Sequence, residues 1–299
     1  MSRPIRYQPD EWSVFFVTAR CIHSRYLLRP SPKTNALVVG VMARAVERFD
    51  VKLFGLCFMS NHYHLLLSSK DAASLASFMQ YVGSNVAREI GRLHGWSERF
   101  WSRRYYASAV LDEAAQQDRM RYILANSVKE GLVKHVRYWP GVHCYRHLVE
   151  GTQLRGIWID RTTKYLCPHL PAKDLTTHYT LELAKLPCHE HLSDFQYRGV
   201  IRELANEARA GCGAPATPLG QKRILAIDPH TRPEETDKSP APLCHAGCID
   251  KKREFRAAYR EFVSSYKVAY QQVLKDILKA EFPNGALPPT AWCVSLAPG

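Results

Sequence analysis

From Val51 to Ser68 the chain is almost unbroken apolar sequence, interrupted chiefly by Met59-Ser60-Asn61. Two such runs separated by a short turn signal describe a β-hairpin buried on both faces. A chain built around this hairpin must complete a sheet and cover it with helices. The hairpin also carries two imidazoles. His62 and His64 flank Tyr63, and successive strand side chains point to opposite faces, so the imidazoles share one face and Tyr63 the other. Their Cβ atoms would stand roughly 7 Å apart, close enough to converge on one divalent cation. The alternative is a pair of hydrogen-bonded core histidines.

The chain has 299 residues, enough for one large or two medium domains. Its net charge of +13 makes a polyanion the first partner to consider. The excess is uneven: residues 1–150 hold 21 Lys and Arg against 12 Asp and Glu, and the remainder 20 against 16. The basic surplus therefore travels with the His pair. Nine scattered cysteines, with no signal peptide ahead of them, point to free thiols in a cytoplasmic protein. No apolar run reaches the roughly 18 residues of a membrane span, so no membrane partner is expected.

Val14–Ile22 reads as a first strand. Thr34–Phe49 has helical spacing, with Leu37, Val41 and Ala45 on one stripe. The hairpin strands Val51–Phe58 and His62–Ser68 follow. Leu75–Leu93 is a second helix that Gly95 would stop. Phe100–Leu111 is read as another strand, and Asp112 caps a helix expected to run to Val133. This order gives an α+β fold, an antiparallel sheet with packed helices, over residues 1–150. Residues 151–299 form a mainly helical C-terminal extension. Gly156–Ile159 is its expected strand, Thr176–Lys185, Asp194–Ala210 and Lys251–Glu281 its expected helices, and 211–247 a flexible linker rich in Pro, Gly, Ser and Thr. Cys244-His245-Ala246-Gly247-Cys248 has a loose CxxxC spacing with no second pair, too little for a zinc site.

Tyr122 and Asn126 lie four residues apart on one helix face. Facing the sheet, the Asn126 carbonyl oxygen would complete a mixed nitrogen and oxygen sphere with His62 and His64, and the Tyr122 hydroxyl would lie beside the bound group. That arrangement suits phosphodiester transesterification. A cation polarises the phosphate, and the phenol, whose ordinary pKa is near 10, attacks it. Arg103, Arg104 and Tyr105 interleave cations with an aromatic ring, a pattern suited to phosphates and stacked bases.

Met59-Ser60-Asn61-His62-Tyr63-His64-Leu65-Leu66 resembles the His-hydrophobic-His motif of single-tyrosine HUH transposases. Phe100-Trp101-Ser102-Arg103-Arg104-Tyr105-Tyr106 and the block from Tyr122 to Val133 resemble their downstream signature, most nearly that of the REP-associated tyrosine transposases. The likeness covers roughly residues 10–150. It implies a ferredoxin-like HUH-type sheet and a 5′-phosphotyrosine intermediate on single-stranded or hairpin DNA at palindromic repeats. Tyr122 would be the catalytic nucleophile, and His62, His64 and Asn126 the ligands of Mg²⁺ or Mn²⁺. The active protein would be a monomer or a homodimer. Ser60 and Ser127 stand where that family usually has Pro; Ser127 restores a backbone donor and lets the helix continue. The competing readings are a hairpin-binding regulator whose site has decayed and a hydrolytic metal-dependent phosphodiesterase.

Overall fold

The hairpin expected between Val51 and Ser68 forms the inner part of an antiparallel sheet in the computed structural model, which describes residues 5–211, 217–234, 241–275 and 280–289. In chain order the elements are β1 (Val14–Arg20), α1 (Pro32–Arg48), β2 (Val51–Phe58), β3 (His62–Ser69), α2 (Ala72–His94), β4 (Tyr106–Val110) and α3 (Glu113–Lys129). The strands lie side by side as β2-β3-β1-β4, with antiparallel neighbours throughout. Strand-helix-strand-strand-helix-strand in that spatial order is the ferredoxin-like arrangement.

Local chemistry sets the helix ends. Ser31 caps α1 by accepting from Thr34 N at 3.0 Å, with Pro32 in the first turn. Asp71 caps α2 through Ser74 N at 2.7 Å, and Gly95, at φ 64°, ends it. Asp112 caps α3 through Ala115 N at 2.8 Å. Helices α1 and α2 pack together on one side of the sheet, while α3 lies on the other against β2 and β3. Gly55 lets α3 approach: a Cβ there would sit 3.0 Å from the Met120 methyl. Helix α3 passes through Ser127 as expected, but it stops at Lys129, short of Val133. Gly131 turns at φ 66° and the Leu132 and Val133 amides fold back onto Ser127 O. The strand read over Phe100–Leu111 shrinks to Tyr106–Val110, because before it Trp101 makes only an isolated bridge to Cys21.

The remaining elements are α4 (Tyr145–Glu150), β5 (Leu154–Ile159), α5 (Arg161–Leu166), β6 (Thr176–Leu181), α6 (Asp194–Gly211), α7 (Gln221–Ala226), β7 (Cys244–His245) and α8 (Ile249–Lys275). The helix expected over Thr176–Lys185 is in fact strand β6. Its Thr-Thr-His-Tyr-Thr-Leu sequence is rich in β-branched and aromatic residues, and it pairs antiparallel with β5. The stretch 211–247 holds α7 and β7; its residues 212–216 and 235–240 lie outside the described residues. The expected helix over Lys251–Glu281 begins at Ile249 and is described to Lys275; residues 276–279 lie outside the described set, and Ala280 and Glu281 are not helical.

The extension packs onto the sheet domain. Hairpin β5–β6 lies across α1, α6 lies on α3, and β7 pairs parallel with β4 as a fifth strand. Leu181, Tyr197, Ile201, Ile224 and Cys244 share one apolar core with the β1–β4 residues. The seven cysteines among the described residues carry free thiols, and no described helix is long and apolar enough to cross a membrane.

Candidate active site

The ladder register determines which side chains meet on the α3 side of the sheet. Thr18 and Cys57 stand opposite His64, Arg20 opposite His62, and Phe16 opposite Leu66. Directly opposed residues share a face, so Phe16, Thr18 and Arg20 belong with the two imidazoles. Tyr63 occupies the other face, against Phe58 and Trp101. Helix α3 brings Tyr122 down onto this group.

The rings form one cluster. His62 and His64 lie with centroids 4.9 Å apart. The Tyr122 ring meets His64 edge-on at 5.2 Å, and Phe16 stacks on His64 at 5.2 Å while touching Tyr122 at 5.6 Å. Arg119, one turn before Tyr122, holds its guanidinium 5.4 Å from the Phe16 centroid and 5.2 Å from that of Tyr122. Lys129 stands 5.4 Å from the Tyr122 ring. The half-buried phenol therefore sits between a neutral imidazole pair and two cations.

One hydrogen bond fixes a tautomer. Asn61 Nδ2 donates to Ser24 O at 3.1 Å, which orients the amide and leaves its oxygen 2.6 Å from His62 Nδ1. A carbonyl oxygen only accepts, so His62 Nδ1 carries the proton and Nε2 keeps its lone pair. Burial lowers both imidazole pKa values. His64 is pushed down to about 3 by desolvation, then by Arg20 and Arg119; His62 falls well below the usual range through desolvation, His64 and Arg20. Both are neutral at pH 7, the form that ligates metals.

The amide of Asn126, only 1% exposed, has no hydrogen-bond partner among the described residues on either polar atom, and neither ring nitrogen of His64 has one. Buried polar groups are ordinarily paired, and a cation shared by these atoms would pair them. Among the described residues no three or more His, Cys, Asp or Glu side chains are grouped to hold a metal. A cation here would take two imidazoles and the neutral Asn126 oxygen, a donor set that suits Mn²⁺ and accommodates Mg²⁺. Asn126 lies on α3, one turn beyond Tyr122. Desolvation raises the Tyr122 pKa above 10, and Glu130 adds to the rise; Arg119 and Arg20 act in the opposite direction.

Arg103, Arg104 and Tyr105 lie in the segment leading into β4, away from the His pair. Both arginines are exposed, and Tyr105 lies under the Arg6 guanidinium, 5.1 Å from its ring centroid. Sequence reading overlooked Phe16, Arg20 and Arg119. Arg119 is signalled only by its spacing of three from Tyr122, and the strand residues only by a register no single sequence displays. His245 of β7, read only as part of a loose cysteine motif, also reaches this cluster: its ring meets Phe16 edge-on at 5.8 Å.

Residues 22–126 match the family model described as IS200-like transposase. A REP-associated tyrosine transposase assigned in Haemophilus influenzae is 23% identical in an alignment of 104 residues that covers 31% of this chain and 59% of that relative. The chain thus spans little more than half the length of that curated relative. Among solved structures, a REP-associated tyrosine transposase bound to a REP hairpin is 18% identical at TM-score 0.43, over 50% of this chain and 86% of that one. A transposase from Deinococcus radiodurans is 14% identical at TM-score 0.30, over 41% and 95%. The family-model match, whose span contains His62, His64, Tyr122 and Asn126, makes residues 22–126 of this chain similar to the IS200-like transposases.

Proposed function

We propose that this chain is a transposase-type enzyme that nicks and rejoins single-stranded DNA at palindromic hairpins, with Tyr122 as nucleophile. The observation that carries the reading is the Tyr122 ring set edge-on at 5.2 Å from a neutral His64 with no hydrogen-bond partner among the described residues, whose neighbour His62 keeps its Nε2 lone pair. The hairpin substrate is supported by the likeness to REP-associated tyrosine transposases and by the net charge of +13.

Mg²⁺ or Mn²⁺ held by His62, His64 and Asn126 would polarise the scissile phosphate and stabilise negative charge on the departing oxygen. The chain's own residues supply the rest. Arg119 and Arg20 raise the phenolate fraction of Tyr122 against the opposing pull of burial. Stacked Phe16 holds His64 and Tyr122 in register. As the Tyr122 oxygen bonds to phosphorus, the bond from phosphorus to the 3′ oxygen breaks. The phenol loses its proton, and the 3′ oxygen gains one as it leaves. One phosphodiester replaces another, so the bond energy is kept for rejoining and no nucleotide cofactor is needed.

Incubating the full chain with hairpin oligonucleotides and Mn²⁺, then separating under denaturing conditions, tests the reading. A covalent protein–DNA adduct that disappears in Tyr122→Phe and in His64→Ala is expected. DNA binding without cleavage would favour a decayed regulator, and cleavage without a linkage would favour a hydrolytic phosphodiesterase.

A further inference from the structure

On the opposite face of the sheet from the imidazoles lies a cavity of about 430 Å³. Its walls are Trp101, Tyr105, Tyr63 and Met79, and Arg6 and Leu287 close it from the two ends of the described chain. This size is within the range of small-molecule sites and holds a nucleobase with its sugar. The aromatic wall is fixed in place: Trp101 Nε1 donates to Gly83 O at 2.8 Å, and its ring stands edge-on to Tyr63 at 5.4 Å.

Two polar atoms of the lining, Arg6 Nη1 and the Tyr105 hydroxyl, are buried and have no hydrogen-bond partner among the described residues. Both are donors, and a buried donor left unpaired is costly. Arg103 and Arg104 also line the cavity, and both are exposed. Rigid aromatic walls, unpaired donors inside and cationic side chains outside are the chemistry of a site for an unstacked base on a polyphosphate backbone.

The closing segments lie outside the family-matched residues. Tyr7 bridges Ala286, and Gln8 N donates to Gly285 O at 3.1 Å. Gly285, at φ 75°, permits that approach, since a Cβ there would lie 1.9 Å from Gln8 O. The cavity therefore depends on parts of this chain before residue 22 and after residue 126.

We infer that this cavity receives a single extruded nucleobase from the single-stranded part of the DNA, held apart from the nucleotide at Tyr122. The inference rests on the DNA reading above. Its test uses the full chain and DNA hairpins bearing a short single-stranded extension of dA, dC, dT or alternating dG and dT. Each extension base is replaced in turn by an abasic site. With at least one extension, one abasic position is expected to weaken wild-type binding about tenfold, the others much less. Ala76→Phe, which fills the cavity from α2, should remove that position dependence while leaving the adduct at Tyr122. Gln80→Trp, at an exposed lining position, serves if Ala76→Phe does not fold. Wild-type binding that is indifferent to every abasic substitution overturns the inference and leaves the DNA reading standing. So does position dependence that survives in a folded, plugged variant. No binding to any hairpin overturns both.

Discussion

Replacing Asn126 by Leu should make the metal-free protein more stable and the enzyme inactive. Asn126 is 1% exposed, and neither its side-chain oxygen nor its nitrogen finds a partner among the described residues. An unsatisfied buried polar group costs about 1–3 kcal/mol, and Leu, with the same branched heavy-atom shape, carries no such cost. For a chain of this size the gain corresponds to a Tm rise of about 2–5 °C in chelator-treated protein. Mn²⁺ at a hundredfold excess over its Kd should add about 2.7 kcal/mol to the wild type. Losing the oxygen ligand should cut that gain by more than half at the same Mn²⁺ concentration. Thermal unfolding of both proteins, with and without Mn²⁺, gives all four values. A metal-free Asn126→Leu protein less stable than wild type would refute the claim that the amide is unsatisfied. A full Mn²⁺ gain in the variant would refute its role as ligand.

Three further outcomes follow from particular contacts. Because burial and Glu130 raise the Tyr122 pKa above 10, the rate of adduct formation with Mn²⁺ should climb about tenfold per pH unit between pH 6.5 and 8.5; a flat profile would show that phenol ionisation does not limit the step. His143 accepts from Tyr145 N at 2.9 Å, lies 3.2 Å from Ile123 O, and is pushed down to about 4 by burial. The unfolded imidazole takes a proton near pH 6.5 that the folded one refuses until about 4, so stability is held above pH 6.5 and falls by roughly 3 kcal/mol as pH drops through that window. Denaturant titrations should show a weaker pH dependence in His143→Gln, and an unchanged one would contradict this. Gly40→Ala places a Cβ 1.9 Å from Ile157 O, backbone against backbone, so the β5–β6 hairpin should leave α1 and become sensitive to limited proteolysis; a variant as resistant as wild type would mean the two do not meet.

The sheet domain was legible because its signals are local and strong. The 51–68 hairpin, the Asp112 cap and the Gly95 stop each state their structure in a few residues, whereas α1 and α2 begin at Pro32 and Ala72, behind the Ser31 and Asp71 caps and ahead of the Thr34 and Leu75 from which they were read. Where signals were long-range, reading failed. Thr176–Leu181 is a strand because β5 lies beside it, a partner invisible from its own sequence. Cys244–His245 becomes a strand only because the edge of β4 is open to it. The site shows the same division. His62 and His64 were placed by the two-residue period of a strand, and Tyr122 and Asn126 by the turn of a helix and a family likeness. Phe16, Arg20 and Arg119 depend on register and helix docking, which emerge only once the core has assembled. Arg103, Arg104 and Tyr105, read together with the site from their composition, lie along a cavity on the other face of the sheet.

The central claim is that the Tyr122 oxygen becomes the link between protein and DNA. Trapping the wild-type adduct on a hairpin oligonucleotide, digesting it and mapping the modified peptide by mass spectrometry addresses this claim directly. The account predicts a nucleotide remnant on the Tyr122 side chain, joined through a 5′ phosphate. A remnant on any other residue, or cleaved DNA with an unmodified Tyr122 peptide, would contradict it.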